Sequence, residues 1–159
     1  MSASEAPLRP LEHLRRRAFT GFGAAMIGVL AFAVFFLLNF TTVVVSGPSM
    51  LPTFKTGRRL LASKAYWLVG SLRHDDIVVI REKDPNAGTG YFIKRVYRLA
   101  GETVDMVNVP RSWKLAQGPY VVPKGMIYVL GDNREVSSDS RELGPIELSR
   151  IIGKVVVVR

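Results

Sequence analysis

The apolar positions of the chain are concentrated near its N-terminal end. No charged residue occurs between Arg17 and Lys55, and the densest apolar stretch covers residues 19–40. A helix needs about 20 apolar residues to cross the hydrocarbon core of a bilayer, whereas a cleavable signal peptide has a shorter apolar region of about 7–15 residues. The length therefore favours an uncleaved transmembrane anchor. A buried core helix is the alternative, but a domain this small could not surround it.

Beyond this stretch, β-branched and aromatic residues recur in short runs with turn residues between them, which is typical of strands. A convincing helical period is missing there, apart from a turn near residues 147–150. The pattern predicts strands at residues 43–46, 59–66, 77–81, 91–99, 103–108, 120–122, 126–130 and 151–158. We therefore expect a mainly β fold, a small antiparallel coiled β-sheet or barrel, with one N-terminal transmembrane helix.

The expected organisation is a basic tail at residues 1–17, a signal-anchor helix at 18–40 and a β-rich domain at 41–159. Arg15, Arg16 and Arg17 directly precede the apolar stretch, and the positive-inside rule places that end in the cytoplasm. We therefore expect a single-pass protein of the cell (inner or cytoplasmic) membrane whose β-rich domain is extracytoplasmic.

The formal net charge of +9 could attract either an anionic membrane surface or a nucleic acid. A chain anchored in a bilayer makes the lipid surface the simpler explanation. The sequence contains no helix-turn-helix, zinc-finger or aromatic RNA-binding motif, which argues against nucleic acid.

The residues that the chain lacks narrow the candidate chemistry. Without cysteine, it has no thiol nucleophile, disulfide or cysteine metal site. His13 lies in the predicted tail, so a Ser–His–Asp triad would depend on His74, which lies in a charged turn. A zinc site would combine His74 with carboxylates only, which is weak for zinc. We therefore expect chemistry without a metal or a cofactor, and serine with lysine as its base is a known arrangement of that kind.

Lys94 is the candidate base. An ordinary lysine has a pKa of about 10.4, so it must lie in dry surroundings to be neutral at neutral pH. Alternation in the predicted strand at 91–99 places Lys94 on the same face as Phe92 and Val96. A strand lysine more often faces solvent, and this pattern alone leaves both interpretations open.

Ser49 is the matching serine, in a loop rich in glycine and proline close to the membrane exit. Such a loop can hold a hydroxyl and nearby N–H groups in a fixed geometry, although an ordinary turn serine fits the pattern as well. A third segment, residues 131–141, is dense in hydroxyls and charges and directly follows a strongly apolar strand. It suits a loop that supports a site, and a solvated loop is the alternative.

These segments together resemble the bacterial type I signal peptidase family, membrane-bound serine endopeptidases that remove signal peptides from exported proteins. The resemblance covers the anchor and most of the β-rich domain. Its motifs occur in the family's order: Ser49-Met50-Leu51-Pro52-Thr53, Lys94-Arg95-Val96, and Gly131-Asp132-Asn133-Arg134 followed by Ser137, Asp139-Ser140-Arg141 and Gly144.

The resemblance implies a role for each matched residue. Ser49 would be the nucleophile, Lys94 the general base and Ser137 the hydroxyl that orients the lysine amine. Some members have an oxyanion-hole serine where this chain has Gly47, so the hole would rely on backbone N–H groups, chiefly that of Ser49. The charged residues that would hold the loops of the site together are Arg95, Asp132, Asp139 and Arg141.

The resemblance also implies a peptide-binding cleft between the strand before the serine and the strand that carries the lysine. An extended substrate would pair there as an added strand. The predicted cleft residues are Val43, Val44, Val45, Ser46, Tyr91, Phe92 and Ile93.

The implied reaction is cleavage of signal-peptide-bearing preproteins after small residues, in an Ala-x-Ala-like pattern, near the protein-export machinery. One alternative is a specialised relative that processes a pilin or conjugation protein. Self-cleaving repressors also use serine and lysine, but they are cytoplasmic and lack an anchor. A non-enzymatic, membrane-tethered β module that binds a partner is a further alternative.

Overall fold

The computed structural model describes residues 11–66, 70–83 and 90–156. The chain divides into two compact units, one up to Leu38 and the other from Asn39 onward. Residues 1–10 of the predicted tail and residues 157–158 of the last predicted strand lie outside the described part.

The first unit is formed by a long helix, α1 (Leu11–Asn39). Its segment Phe22–Asn39 is long and apolar enough to cross a membrane, with a mean hydropathy of 2.2 and no buried residue. The helix begins within the segment predicted as a basic tail, because leucine, glutamate and arginine are good helix formers regardless of charge.

The second unit is built mainly from short strands, as the alternating pattern predicts. The strands are β1 (Phe40–Val44), β2 (Arg59–Ser63), β3 (Ile77–Arg81), β4 (Tyr91–Arg98), β5 (Thr103–Val104), β6 (Tyr120–Val121), β7 (Met126–Leu130), β8 (Ile146–Glu147) and β9 (Ile151–Val155). A four-residue helix, α2 (Ser140–Leu143), precedes β8, and single 3-10 turns cover Leu115–Gln117 and Leu148–Arg150.

The described strands form one larger and one smaller sheet, and all their pairings are antiparallel. The larger sheet has the order β1-β2-β9-β3-β4-β7-β8, and β5 pairs with β6 separately. Strand β4 lies between β3 and β7, and Lys94 is opposite Val78 of β3. The sheet therefore carries Lys94 on an interior strand, while β1, which leads to Ser49, lies at one end of the sheet order.

The core lies on both faces of β3, whose first four residues are all buried. Ile77 and Val79 belong to a cluster that includes Met50 and Phe54 from the loop between β1 and β2. Val78 and Ile80 point to the opposite face and join a second cluster. A strand buried on both faces needs a sheet that curls or is covered on each side, and this agrees with the expected coiled antiparallel sheet.

Several predicted boundaries are wrong. Strand β1 covers Phe40–Val44 rather than residues 43–46, because the uncharged stretch continues from helix into strand with only Asn39 at the change. The strands predicted at 59–66, 91–99, 103–108, 120–122 and 151–158 are shorter than expected, ending at Ser63, Arg98, Val104, Val121 and Val155.

Three short elements were not predicted at all: β8, α2 and the 3-10 turn Leu115–Gln117. Strand β8 has two residues and α2 has four, too few for a periodic pattern to show. The turn expected near residues 147–150 is confirmed as the 3-10 turn Leu148–Arg150, and the strands at 77–81 and 126–130 are confirmed with their bounds.

Candidate active site

Lys94 is buried in the β4 strand, with 4% of its surface exposed. Its amine lies 5.6 Å from the centre of the Phe92 ring, on the face that strand alternation predicts. Burial lowers the pKa of Lys94 below its ordinary value, and the negative charge of Asp139 opposes this shift only in part. A lowered pKa favours the neutral amine, which is the form that can accept a proton.

Ser49 lies at the bend of the loop that connects β1 with β2. The base of the loop is closed by hydrogen bonds from the Val45 N–H to the Arg58 carbonyl and from the Gly57 N–H to the Val45 carbonyl. Met50, which is 1% exposed, and Phe54, which is 5% exposed, fix the loop in the core. The structure places the Ser49 hydroxyl oxygen 3.0 Å from the Lys94 Nζ, within the range for a hydrogen bond between a nucleophile and its base.

The segment after β7 also contacts Ser49, in addition to the β1–β2 loop and strand β4. The Asn133 N–H donates to the Ser49 carbonyl at 3.0 Å. A Cβ atom on Gly131 would lie 2.8 Å from that carbonyl oxygen and 2.1 Å from the Ser137 hydroxyl. Only a residue without a side chain allows the two serines to approach the backbone this closely. No role was predicted for Gly131, and its position directly before the Asp132-Asn133 turn was the signal in the sequence.

Ser137 is brought to the site but makes no hydrogen bond to Lys94. Its side chain is buried, and within the described residues its hydroxyl forms no hydrogen bond of normal geometry. It nevertheless lies close enough to Asp139 to help lower the pKa of that carboxyl. The hydroxyl is thus held between the Gly131 backbone and the Asp139 carboxylate, beside the contact between Ser49 and Lys94.

Arg95 and Asp132 form a two-pronged ion pair that joins β4 to the loop after β7. The Arg95 Nε and Nη2 each donate to one oxygen of Asp132 at 2.7 Å. Burial pushes the pKa of Asp132 upward, but the hydrogen bond and charge of Arg95 outweigh it, so the pKa lies below its ordinary value. Because Arg95 follows Lys94 directly, this pair ties the strand of the candidate base to the third segment.

Asp139 and Arg141 form a second pair inside that segment. Asp139 is fully buried, and it accepts hydrogen bonds from the Gly131 N–H at 3.0 Å and the Arg141 Nε at 2.9 Å. It also caps the N-terminus of α2 through the Arg141 N–H. Burial raises the pKa of this carboxyl, yet the donors from Arg141 and Gly131 lower it more, so Asp139 stays charged near Lys94.

A cavity of about 320 Å³ opens beside the Ser49–Lys94 contact. Its lining includes six of the seven residues predicted for the cleft, and Val43 instead points into the core, where it is 5% exposed. Met50 and Ser138 also line the cavity, although neither was predicted as a cleft residue. Gly47 is not part of the lining; its carbonyl accepts a hydrogen bond from the Thr56 hydroxyl at 3.0 Å.

His74 forms a surface pair with Glu102 at 2.7 Å, and half of its side chain is exposed. Within residues 11–66, 70–83 and 90–156, no three His, Asp or Glu side chains gather closely enough to hold a metal ion. The described part of the chain therefore brings its reactive groups together at Ser49, Lys94 and the segment after β7.

Comparison with known proteins relates this arrangement to one family. The family described as "Signal peptidase, peptidase S26" matches residues 17–110 and 108–159. Signal peptidase I of Bacillus caldolyticus is 31% identical over 81% of this chain and 84% of its own length. Signal peptidase I T of Bacillus subtilis (strain 168) is 33% identical over 82% and 79%. Signal peptidase IB of Staphylococcus aureus (strain COL) is 31% identical over 79% and 82%.

Among solved structures, a signal peptidase I from Enterococcus faecalis V583 is 25% identical, with a TM-score of 0.39, over 55% of this chain and 97% of that chain. The family match spans nearly the whole chain from residue 17 onward, and the curated relatives exceed 30% identity over most of their length. The resemblance noted in the motifs is thereby confirmed: the chain belongs to the signal peptidase family, peptidase S26, and is a serine peptidase that removes signal peptides.

Proposed function

We propose that Ser49 and Lys94 are the catalytic dyad of this peptidase. The observation that carries the proposal is the 3.0 Å contact between the Ser49 hydroxyl and a lysine amine that is 4% exposed. Burial lowers the pKa of Lys94, so a larger fraction of the amine is neutral and can accept the hydroxyl proton than in water. Ser49 remains partly accessible at the edge of the cavity, where a substrate carbonyl can reach it.

The reaction then follows the course of acyl transfer. The neutral Lys94 amine takes the proton of Ser49 as the serine oxygen attacks the carbonyl carbon of the scissile peptide. The backbone N–H of Ser49 donates to the oxygen on which negative charge develops. The Lys94 ammonium returns the proton to the leaving amine, and Lys94 then activates the water that hydrolyses the acyl-enzyme. Ser137 orients the Lys94 amine when its hydroxyl turns toward it.

The substrate lies extended in the cavity between β1 and the start of β4. Val44, Val45 and Ser46 form one wall, and Tyr91, Phe92 and Ile93 form the other. Main-chain hydrogen bonds along β1 would give affinity, while the limited volume near Ser49 favours small side chains beside the scissile bond. This fits cleavage after an Ala-x-Ala-like pattern in preproteins.

The anchor brings the site to its substrate. Segment Phe22–Asn39 of α1 crosses the bilayer, with residues 1–17 in the cytoplasm and the β-rich domain on the outer side of the cell membrane. Preproteins arrive at that side through the export machinery with their own apolar segments still in the membrane. A peptidase held at the same surface meets the cleavage sites at high local concentration.

Cleavage of a preprotein in detergent tests the dyad. Ser49→Ala removes the nucleophile, and Lys94→Met keeps an apolar stem of similar length without the amine. Both variants are expected to lower kcat by on the order of 10³-fold or more. N-terminal sequencing of the wild-type products is expected to show cleavage after a small residue.

Two surface substitutions of the same residue types serve as matched controls. Ser149→Ala and Lys124→Ala alter exposed side chains outside the cavity, and they are expected to keep the wild-type rate. Substantial cleavage by Ser49→Ala or by Lys94→Met would exclude the proposed dyad, provided that both variants retain the wild-type circular dichroism spectrum.

A further inference from the structure

The two walls of the cavity are joined by one side chain. The Tyr91 hydroxyl accepts a hydrogen bond from the Val44 N–H at 2.9 Å and donates to the Val44 carbonyl at 3.1 Å. Tyr91 is the first residue of β4, and Val44 is the last residue of β1. A single phenol thus satisfies both main-chain groups of one residue across the cavity.

The Val44 groups are those that an added strand would use. Main-chain N–H and C=O groups alternate between the two edges of an antiparallel strand. Those of Val45 point toward β2, where they bond Arg58 and Gly57. The N–H and C=O of Val44 therefore point away from β2, and β1 stands at the end of the sheet order among the described strands.

We propose that Tyr91 is a displaceable gate of the substrate cleft. In the substrate-free enzyme its hydroxyl takes the two hydrogen-bond positions at Val44 that the main chain of a bound substrate takes in the complex. The inference rests on the proposed function, since it requires substrate pairing along β1. When substrate binds, its main chain replaces the Tyr91 hydroxyl as the hydrogen-bond partner of the Val44 N–H and C=O groups. Tyr91 then turns away by rotation about its two side-chain torsions.

The gate lies at a defined distance from the reacting bond. Tyr91 precedes Lys94 by three residues of the same strand, which corresponds to about 10 Å at 3.3 Å per residue. The exchange therefore involves a substrate residue about three positions from the scissile bond. That residue must supply both an N–H and a C=O to replace the phenol, so a proline there fails to open the gate fully.

Removal of the hydroxyl alone tests the gate. Tyr91→Phe keeps the ring but leaves the Val44 groups without the phenol, so the substrate no longer displaces a hydrogen-bonded side chain. We expect KM for a preprotein to fall about three- to ten-fold, the equivalent of roughly one net hydrogen bond, with kcat unchanged. A rise in KM would show that the hydroxyl binds substrate instead, and an unchanged KM would show that it has no such role; either result overturns the gate.

Tyr97→Phe is the matched control. Tyr97 lies on the same strand, but its hydroxyl donates to Asp105, and Tyr97 is not among the residues that line the cavity. The control is expected to leave both KM and kcat as in the wild type. A fall in KM common to both variants would reflect a general loosening of β4 and would also overturn the proposal.

A measurement without substrate separates the gate from the proposed function. Amide hydrogen exchange at Val44 is expected to accelerate in Tyr91→Phe, while the Val45 amide, bonded to the Arg58 carbonyl, keeps its protection. Unchanged exchange at Val44 would exclude the bridge in solution. A different outcome is possible if the wild type does not cleave preproteins while exchange at Val44 is accelerated in Tyr91→Phe. That result would reject the proposed pairing of substrate along β1, but it would support the hydrogen bonds between Tyr91 and Val44.

Discussion

In the proposed dyad, the protonation state of Lys94 determines when Ser49 can lose its proton. Burial lowers the pKa of the amine and Asp139 raises it, so the two influences set the pH at which the neutral base appears. Below that pKa the amine is protonated and cannot accept a proton. We expect kcat/KM for preprotein cleavage to rise with pH through the lowered pKa of Lys94 and then to level off.

Removal of the charge of Asp139 is expected to shift the acidic limb of the pH profile, the range in which kcat/KM rises with pH. Asp139→Asn removes the negative charge that stabilises the ammonium form, so the pKa of Lys94 should fall further and the limb should move to lower pH. The measurement is kcat/KM as a function of pH at a temperature where the variant is folded. Glu142→Gln, a charge change at a surface ion pair three residues away, is the control and should leave the limb in place. A limb that moves to higher pH would mean that another group titrates.

The lack of a side chain at Gly131 allows the Ser137 hydroxyl and the Ser49 carbonyl to pack against its backbone. We expect Gly131→Ala to destabilise the fold by about 1–3 kcal/mol through overpacking, and also to lower kcat, because the new Cβ would push Ser137 and the Ser49 backbone apart. Denaturant unfolding and preprotein cleavage measure the two effects.

Gly153→Ala is a control that distinguishes a loss of stability from a loss of kcat. A Cβ on Gly153 would lie 2.7 Å from the Ser63 carbonyl, so this variant also overpacks the sheet, away from the site residues. It should lose stability yet keep the kcat of the wild type. Equal kcat values for the two variants would indicate that the packing around Gly131 does not position Ser49.

At the scale of elements, the ion pair between Arg95 and Asp132 ties β4 to the loop after β7. The Asp132 side chain is 12% exposed and the Arg95 side chain is 26% exposed. Loss of the Asp132 charge therefore leaves the largely buried Arg95 guanidinium unpaired. We expect Asp132→Asn to lower the free energy of unfolding by about 1–3 kcal/mol at neutral pH, measured by denaturant unfolding. The exposed pair between Arg111 and Glu142 provides the comparison, and Glu142→Gln should change stability by less than about 0.5 kcal/mol.

The stabilisation by Asp132 also has a defined pH dependence. The pKa of Asp132 is depressed in the folded protein, so the contribution is complete above the unfolded pKa of about 3.9. It is lost as the pH falls from that value through the folded pKa. The difference in stability between the wild type and Asp132→Asn should therefore shrink on acidification within that window. A difference that is constant down to the lowest pH at which both fold would contradict this origin.

The strands that were predicted with their correct bounds are those whose apolar runs have clear limits. The runs that became β3 and β7 are bounded by polar turns on both sides, and their limits are confirmed. The start of β1 was predicted wrongly because Phe40 continues the uncharged stretch of α1, and a single polar residue, Asn39, is a weak signal for the change from helix to strand. Strand β8 was missed because Ile146 and Glu147 are held by pairing with β7, a tertiary contact that leaves no periodic pattern.

The site could be predicted as a set of motifs but not as a packed arrangement. The motifs selected Ser49 and Lys94, which the structure brings within 3.0 Å, while their catalytic roles stay predictions. They did not predict that Met50 and Ser138 line the cavity, because which residues line a cavity depends on how the loops fold against the sheet. The bridge from Tyr91 to Val44 likewise depends on a side chain that spans two strands far apart in sequence.

At the scale of the whole molecule, the proposed topology places the site on the outer side of the membrane because of the charges that flank the apolar helix. Arg15, Arg16 and Arg17 precede the apolar segment and favour retention of that end in the cytoplasm. The chain has no cysteine, so a single introduced thiol reports one position without background. In intact spheroplasts, a membrane-impermeant maleimide is expected to label Val107→Cys, at a side chain that is 89% exposed, and to label Ser4→Cys only after permeabilisation. The cysteine-free parent should remain unlabelled in both conditions. The reverse pattern would place the site in the cytoplasm, on the wrong side for a peptidase that acts on exported proteins.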